Sequence, residues 1–74
     1  MRGVVGAFSS SARVVTLAQP VNGVSSVVVS LDTEVVRSNG AKAGVTDLTP
    51  RAGVEVTGRP SNPGTLLAHR IVLL

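Results

Sequence analysis

Apolar-rich segments of five to nine residues, separated by turn residues, run along this chain, and in the third and fourth of them apolar and polar positions follow a period of two. That period places successive side chains on opposite faces of an extended strand. Residues 2–8 form the first segment, and Ser9 to Ser11 connect it to a hairpin partner at 13–18. Pro20, which lacks a ladder donor, and Asn22-Gly23, which tolerates positive φ, then turn the chain. The third segment, 25–31, sets Val27, Val29 and Leu31 on one face and Ser26, Val28 and Ser30 on the other, with Thr33 and Val35 continuing the first set. Residues 37–44, with Asn39-Gly40 inside, read as the longest irregular and most mobile stretch.

A short helical turn near 45–49 follows, where Thr46 or Asp47 caps exposed amides and Leu48 plugs a barrel end. Pro50 suits the second position of a β-turn that launches the fourth strand, in which Val54 and Val56 point inward and Glu55 and Thr57 outward. Asn62-Pro63-Gly64-Thr65 has the residues of a type II turn, so the last two strands form a hairpin. Leu66 and Ala68 share one face while Ile71 and Leu73 fall on the opposite phase. A bulge near His69-Arg70 reconciles the two sets. The expected architecture is a single domain over 1–74: an all-β, five-stranded, OB-like antiparallel barrel.

Composition supports the same class. Fifteen of the 74 residues are valine, which suits a pleated surface, and no helical period of useful length competes with the strands. A domain this small buries only roughly 60% of the surface its unfolded chain exposes. Without Cys it has no disulfides to add to its core, and oligomerisation remains as the supplement. The apolar run at the N-terminus is too short for a signal-peptide core or a bilayer span.

Several segments after Thr33 carry a family resemblance. Thr33-Glu34-Val35, Asp47-Leu48-Thr49-Pro50, Val54-Glu55-Val56-Thr57-Gly58 and Gly64-Thr65-Leu66-Leu67-Ala68-His69-Arg70-Ile71 resemble, in that order, a bacterial family of secreted OB-like domains of unknown function. Gly3-x-Val5 is similar to that family's opening. The family commonly places a Gly and then an acid after the turn proline, where this chain has Arg51-Ala52. The resemblance implies a five-stranded barrel outside the cytoplasm and transfers no catalytic residue or ligand. By fold-level analogy, OB barrels bind oligonucleotides or oligosaccharides.

Candidate chemistry is sparse, and no cofactor is implied. Asp32 and Glu34 share a strand face, but a hard cation needs six or more oxygens, so a solvated strand end describes them better. The serines, His69 and the acids lack any elbow that would position a catalytic triad, and the glycines lack the strand-to-helix context of a phosphate loop. The expected protein is not an enzyme. The net charge of +3 is spread along the chain, and Arg13, Arg51, Arg59 and Arg70 are the candidates for contacting an oligonucleotide or acidic polysaccharide. Phe8 is the only aromatic residue, so the stacking platforms of such binders are missing.

Excess aliphatic surface points elsewhere. Valine and leucine doublets and triplets must send side chains to both faces of their strands, and a barrel this small cannot hide both. Val28, Val36, Val72, Leu73 and Leu74 are the residues expected to bury against neighbouring copies in a homo-oligomer or polymer. The uncharged segment 71–74, if it forms a sheet edge, also invites strand addition.

Overall fold

The computed structural model describes all residues 1–74. Five strands, β1 (Arg2–Ser9), β2 (Val14–Val21), β3 (Val24–Arg37), β4 (Gly53–Pro60) and β5 (Thr65–Leu73), close into a small barrel, with one 3-10 turn at Val45–Asp47. The order around the barrel is β1-β2-β3-β5-β4. Four of the five pairings are antiparallel, whereas β3 and β5 run parallel. The expected five-stranded all-β barrel is what forms, and parity requires one parallel pair in it, because five strands cannot alternate in direction all the way round a closed ring.

Local chemistry sets the turns. At the β2–β3 hairpin Val21 faces Val24, and both residues between them have positive φ, 52° at Asn22 and 81° at Gly23. Both signs match a type I′ turn, whose twist suits that of the strands. At the β4–β5 hairpin the Thr65 amide donates to the Asn62 carbonyl at 2.9 Å, with Gly64 at φ 77° in the position a type II turn reserves for glycine. Pro20 falls where the β2–β3 register breaks between Thr16 and Val21, so its missing N–H leaves no gap in the ladder.

The barrel interior is aliphatic throughout. Thirteen residues form one packed cluster, including Val27, Val29, Val54, Val56 and Ile71, and no polar side chain is buried. Leu48 closes one end of this core at 3% exposure, as its place after the 3-10 turn predicts. Asp47 caps that turn: its carboxylate accepts the Gly44 amide at 3.1 Å. The expected bulge lies at His69, since Thr57 faces Arg70 while Gly58 faces Ala68. One unpaired residue returns Ile71 and Leu73 to the same side as Leu66 and Ala68.

One expectation is overturned. Leu31, expected inward, is 88% exposed, because β3 turns outward at 30–33 between Val29, opposite Ala68, and Glu34, opposite Arg70. Thr33 pins this turn by accepting the Ser30 amide at 2.9 Å and donating to the Ala68 carbonyl at 2.8 Å. The stretch after Arg37 is irregular, as expected, and folds back on β3. Arg37 donates to the Ala41 carbonyl at 2.8 Å, Ala43 to the Val35 carbonyl at 3.0 Å, and Val36 bridges to Lys42.

Candidate interaction surface

The outward positions divide into aliphatic and polar zones, and register decides which residues meet. Val14 faces Val28 and Val28 faces Leu67, so three half-buried aliphatics form a row across β2, β3 and β5. Beside it the His69 bulge and the 30–33 turn open a polar cleft of about 500 Å³. Ser30, Asp32, Thr57, Arg59 and His69 contribute side chains to it. The cleft exists because both strands leave the ladder there together: four residues of β3 stand opposite the single residue His69.

A second zone lies across β1, β4 and the chain end. Val5 and Val54 point into the core, so their neighbours Val4 and Gly53, which face one another, point outward. Leu74 donates its amide to the Gly53 carbonyl at 3.0 Å, and its Cβ would lie 3.7 Å from a Cβ built on Gly53. Val4 at 45% and Leu74 at 58% exposure therefore flank a residue without a side chain, forming a notch with apolar walls. On its far side Val4 borders a shallow hollow of about 400 Å³ that also includes Ala18, Pro20 and Val21.

The five residues expected to mediate self-association do not form one patch. Val28 belongs to the first row, Val72 is half-buried between Val36 and Glu55, and Leu74 borders the notch. Val36 and Leu73 are buried, at 5% and 8% exposure, and offer no outward surface. For Val36 the returning segment at 41–43, bridged to it at Lys42, supplies a neighbour. For Leu73 the His69 bulge reverses the phase and carries it into the core. The last strand is not an edge either, because β5 pairs with β3 on one side and β4 on the other. The expectation that it invites strand addition is thereby withdrawn.

Of the four candidate arginines, three stand around the His69 bulge, Arg59 lining the cleft, Arg70 an adjoining hollow with Asp32 and His69, and Arg13 at Ser30, whereas Arg51 lies apart in the turn before β4. Arg13, half-buried, donates through Nε to the Val29 carbonyl at 2.8 Å and through Nη2 to the Ser30 carbonyl at 3.2 Å, bracing the β3 turn. Arg70 pairs with Glu34 at 3.0 Å. Ala52 donates to the Thr49 carbonyl at 3.0 Å with Arg51 at φ 73°, so arginine occupies the left-handed position that glycine would fill at less cost.

Ion pairing leaves one carboxylate over. Arg2 binds Glu55 at 2.8 Å, Arg37 binds Asp47 at 3.2 Å and Arg70 binds Glu34, so Asp32 alone of the four acids has no cationic partner. The Arg2 guanidinium, through its hydrogen bond and its charge, holds the Glu55 carboxyl below the ordinary carboxylate value. Asp32 and Glu34, considered as a cation pair, do not belong to any group of three potential metal ligands. Val4, Leu31 and Gly53 were not among the residues singled out from the sequence for this surface. Only the inward neighbours Val5 and Val54 signalled that Val4 and Gly53 share the outer face.

Compared with protein-family models, with curated proteins and with solved structures, the chain matches none.

Proposed function

We propose that this chain is a non-enzymatic interaction module that assembles with copies of itself, outside the cytoplasm. The exposed pair Val4 and Leu74 on either side of Gly53 carries the reading: apolar side chains held in water beside a notch lose that exposure when a neighbour covers them. The uniformly aliphatic interior supports it as well, since the barrel offers no buried polar group around which chemistry is organised. The extracytoplasmic placement rests on the family resemblance. The OB-like kinship is supported by the ring order 1-2-3-5-4 with its single parallel pair.

Sedimentation velocity and light scattering from micromolar to millimolar concentration test the proposal. A mass rising with concentration is expected, and a monomer at the upper end overturns it. The other reading, a monomeric OB-type binder of an oligonucleotide or acidic polysaccharide, draws on Arg59 at the polar cleft. Salt-sensitive binding of single-stranded nucleic acid or an acidic glycan by a monomer would favour it instead.

A further inference from the structure

The geometry points to a head-to-tail contact in which Leu31 of one copy enters the notch between Val4 and Leu74 of the next. This rests on the self-association reading and specifies its surfaces. Leu31, Val4 and Leu74 are the three exposed large hydrophobic residues of the chain. They occur in two complementary forms. Leu31 stands at the tip of a turn braced by Thr33 and by the Arg13 guanidinium, so it is presented as a rigid knob. Val4 and Leu74 stand on either side of Gly53, which places no side chain between them, and Leu74 Cβ borders that space at 3.7 Å from where a Cβ on Gly53 would lie.

Charge follows the same pairing. Asp32, the carboxylate without a cationic partner, is the next residue after the knob. Arg51, exposed and without an acid partner, stands two residues before Gly53 and donates its amide to the Val5 carbonyl at 2.7 Å, which fixes it beside the notch. An acid beside the knob and a base beside the notch set one orientation for docking.

A single copy cannot satisfy itself. The 30–33 turn lies opposite His69, and Leu74 follows His69 by five residues along β5, about 16 Å at about 3.3 Å per residue. Knob and notch are different surfaces, so the contact is heterologous. It propagates as a ring if the rotation between copies closes and as an open filament if it does not.

The experiment uses sedimentation velocity on the full chain, with circular dichroism to show that each variant is folded. Leu31→Ser and the pair Val4→Ser/Leu74→Ser are each expected to raise the dissociation constant about tenfold or more, the effect of losing a well-buried aliphatic contact. Asp32→Arg and Arg51→Asp each weaken association, and combining them restores it. An equimolar mixture of Leu31→Ser/Asp32→Arg with Val4→Ser/Leu74→Ser, neither of which assembles alone, gives a one-to-one heterodimer and nothing larger. It retains one intact knob and one intact notch. A wild-type chain that associates while Leu31→Ser associates equally well, or a mixture that stays monomeric, overturns this contact and leaves self-association standing. A wild-type monomer at millimolar concentration overturns both.

Discussion

A Cβ placed on Gly58 would overlap the carbonyl oxygen of Leu67 and lie 3.0 Å from the Cα of Ala68. Both neighbours are backbone of the adjacent strand, where the ladder shifts around His69, so neither can swing aside. Gly58→Ala is therefore expected to destabilise the barrel by about 1–3 kcal/mol or more, the range of overpacking against a rigid neighbour. Urea unfolding at low protein concentration reads the change, and a loss under half a unit of kcal/mol would mean that the bulge is more pliable than its packing indicates.

Arg51 and Arg13 both hold positive φ, 73° and 53°, yet replacing them by glycine has opposite outcomes. Arg51 makes no side-chain hydrogen bond within the chain, so Arg51→Gly removes left-handed strain and stabilises by about 0.5–1 kcal/mol after glycine's own entropy is subtracted. Arg13→Gly relieves similar strain but also removes two hydrogen bonds to the β3 turn, and is expected to destabilise by about 1 kcal/mol. Thermal denaturation of the two variants side by side checks the sign of each.

Leu48 and Leu31 separate core from surface. At 3% exposure Leu48 fills the barrel end, and Leu48→Ala is expected to cost about 2–4 kcal/mol through lost burial and the cavity left behind. Leu31→Ala, at 88% exposure, is expected to change the stability of the dilute monomer by no more than about 0.5 kcal/mol. Equal losses in denaturant titrations of the two would contradict the outward turn of β3.

Glu55 predicts a small acid sensitivity. Its folded pKa is lowered by Arg2, so in acid the unfolded chain binds the proton more readily than the folded one. The resulting stabilisation is present above the unfolded carboxylate value and fades as pH falls through the folded one. Glu55→Gln should flatten that part of the stability profile, and added salt should mimic the substitution because both partners are solvent-exposed. Denaturant midpoints measured from neutral to acidic pH, with and without salt, decide it.

Much of the fold was legible because it depends on short-range chemistry. Asn22-Gly23 and Pro63-Gly64 specify turn types through φ alone, and Val54, Val56 and Leu48 announce their burial through alternation and capping. The phase conflict between Ala68 and Ile71 even located the bulge, since only an extra residue brings both inward. The parallel β3–β5 pairing was implicit in the count of five strands, although no local pattern displays it.

The surface was less legible because alternation is a local rule that one turn can reset. By period alone Leu31 belongs beside Val27 and Val29; the turn at 30–33 expels it and returns Val35 to the core. Val36 and Leu73 show the reverse, outward or terminal positions buried by a returning segment and by a bulge.

By itself, then, the sequence determined strand periods, turn types and an aliphatic interior, because each rests on the preferences of a few neighbouring residues. Which aliphatics face water together was decided only by tertiary structure. Val4 of β1, Gly53 of β4 and Leu74, which follows β5, are distant in sequence, and only closure of the barrel and its register bring them side by side.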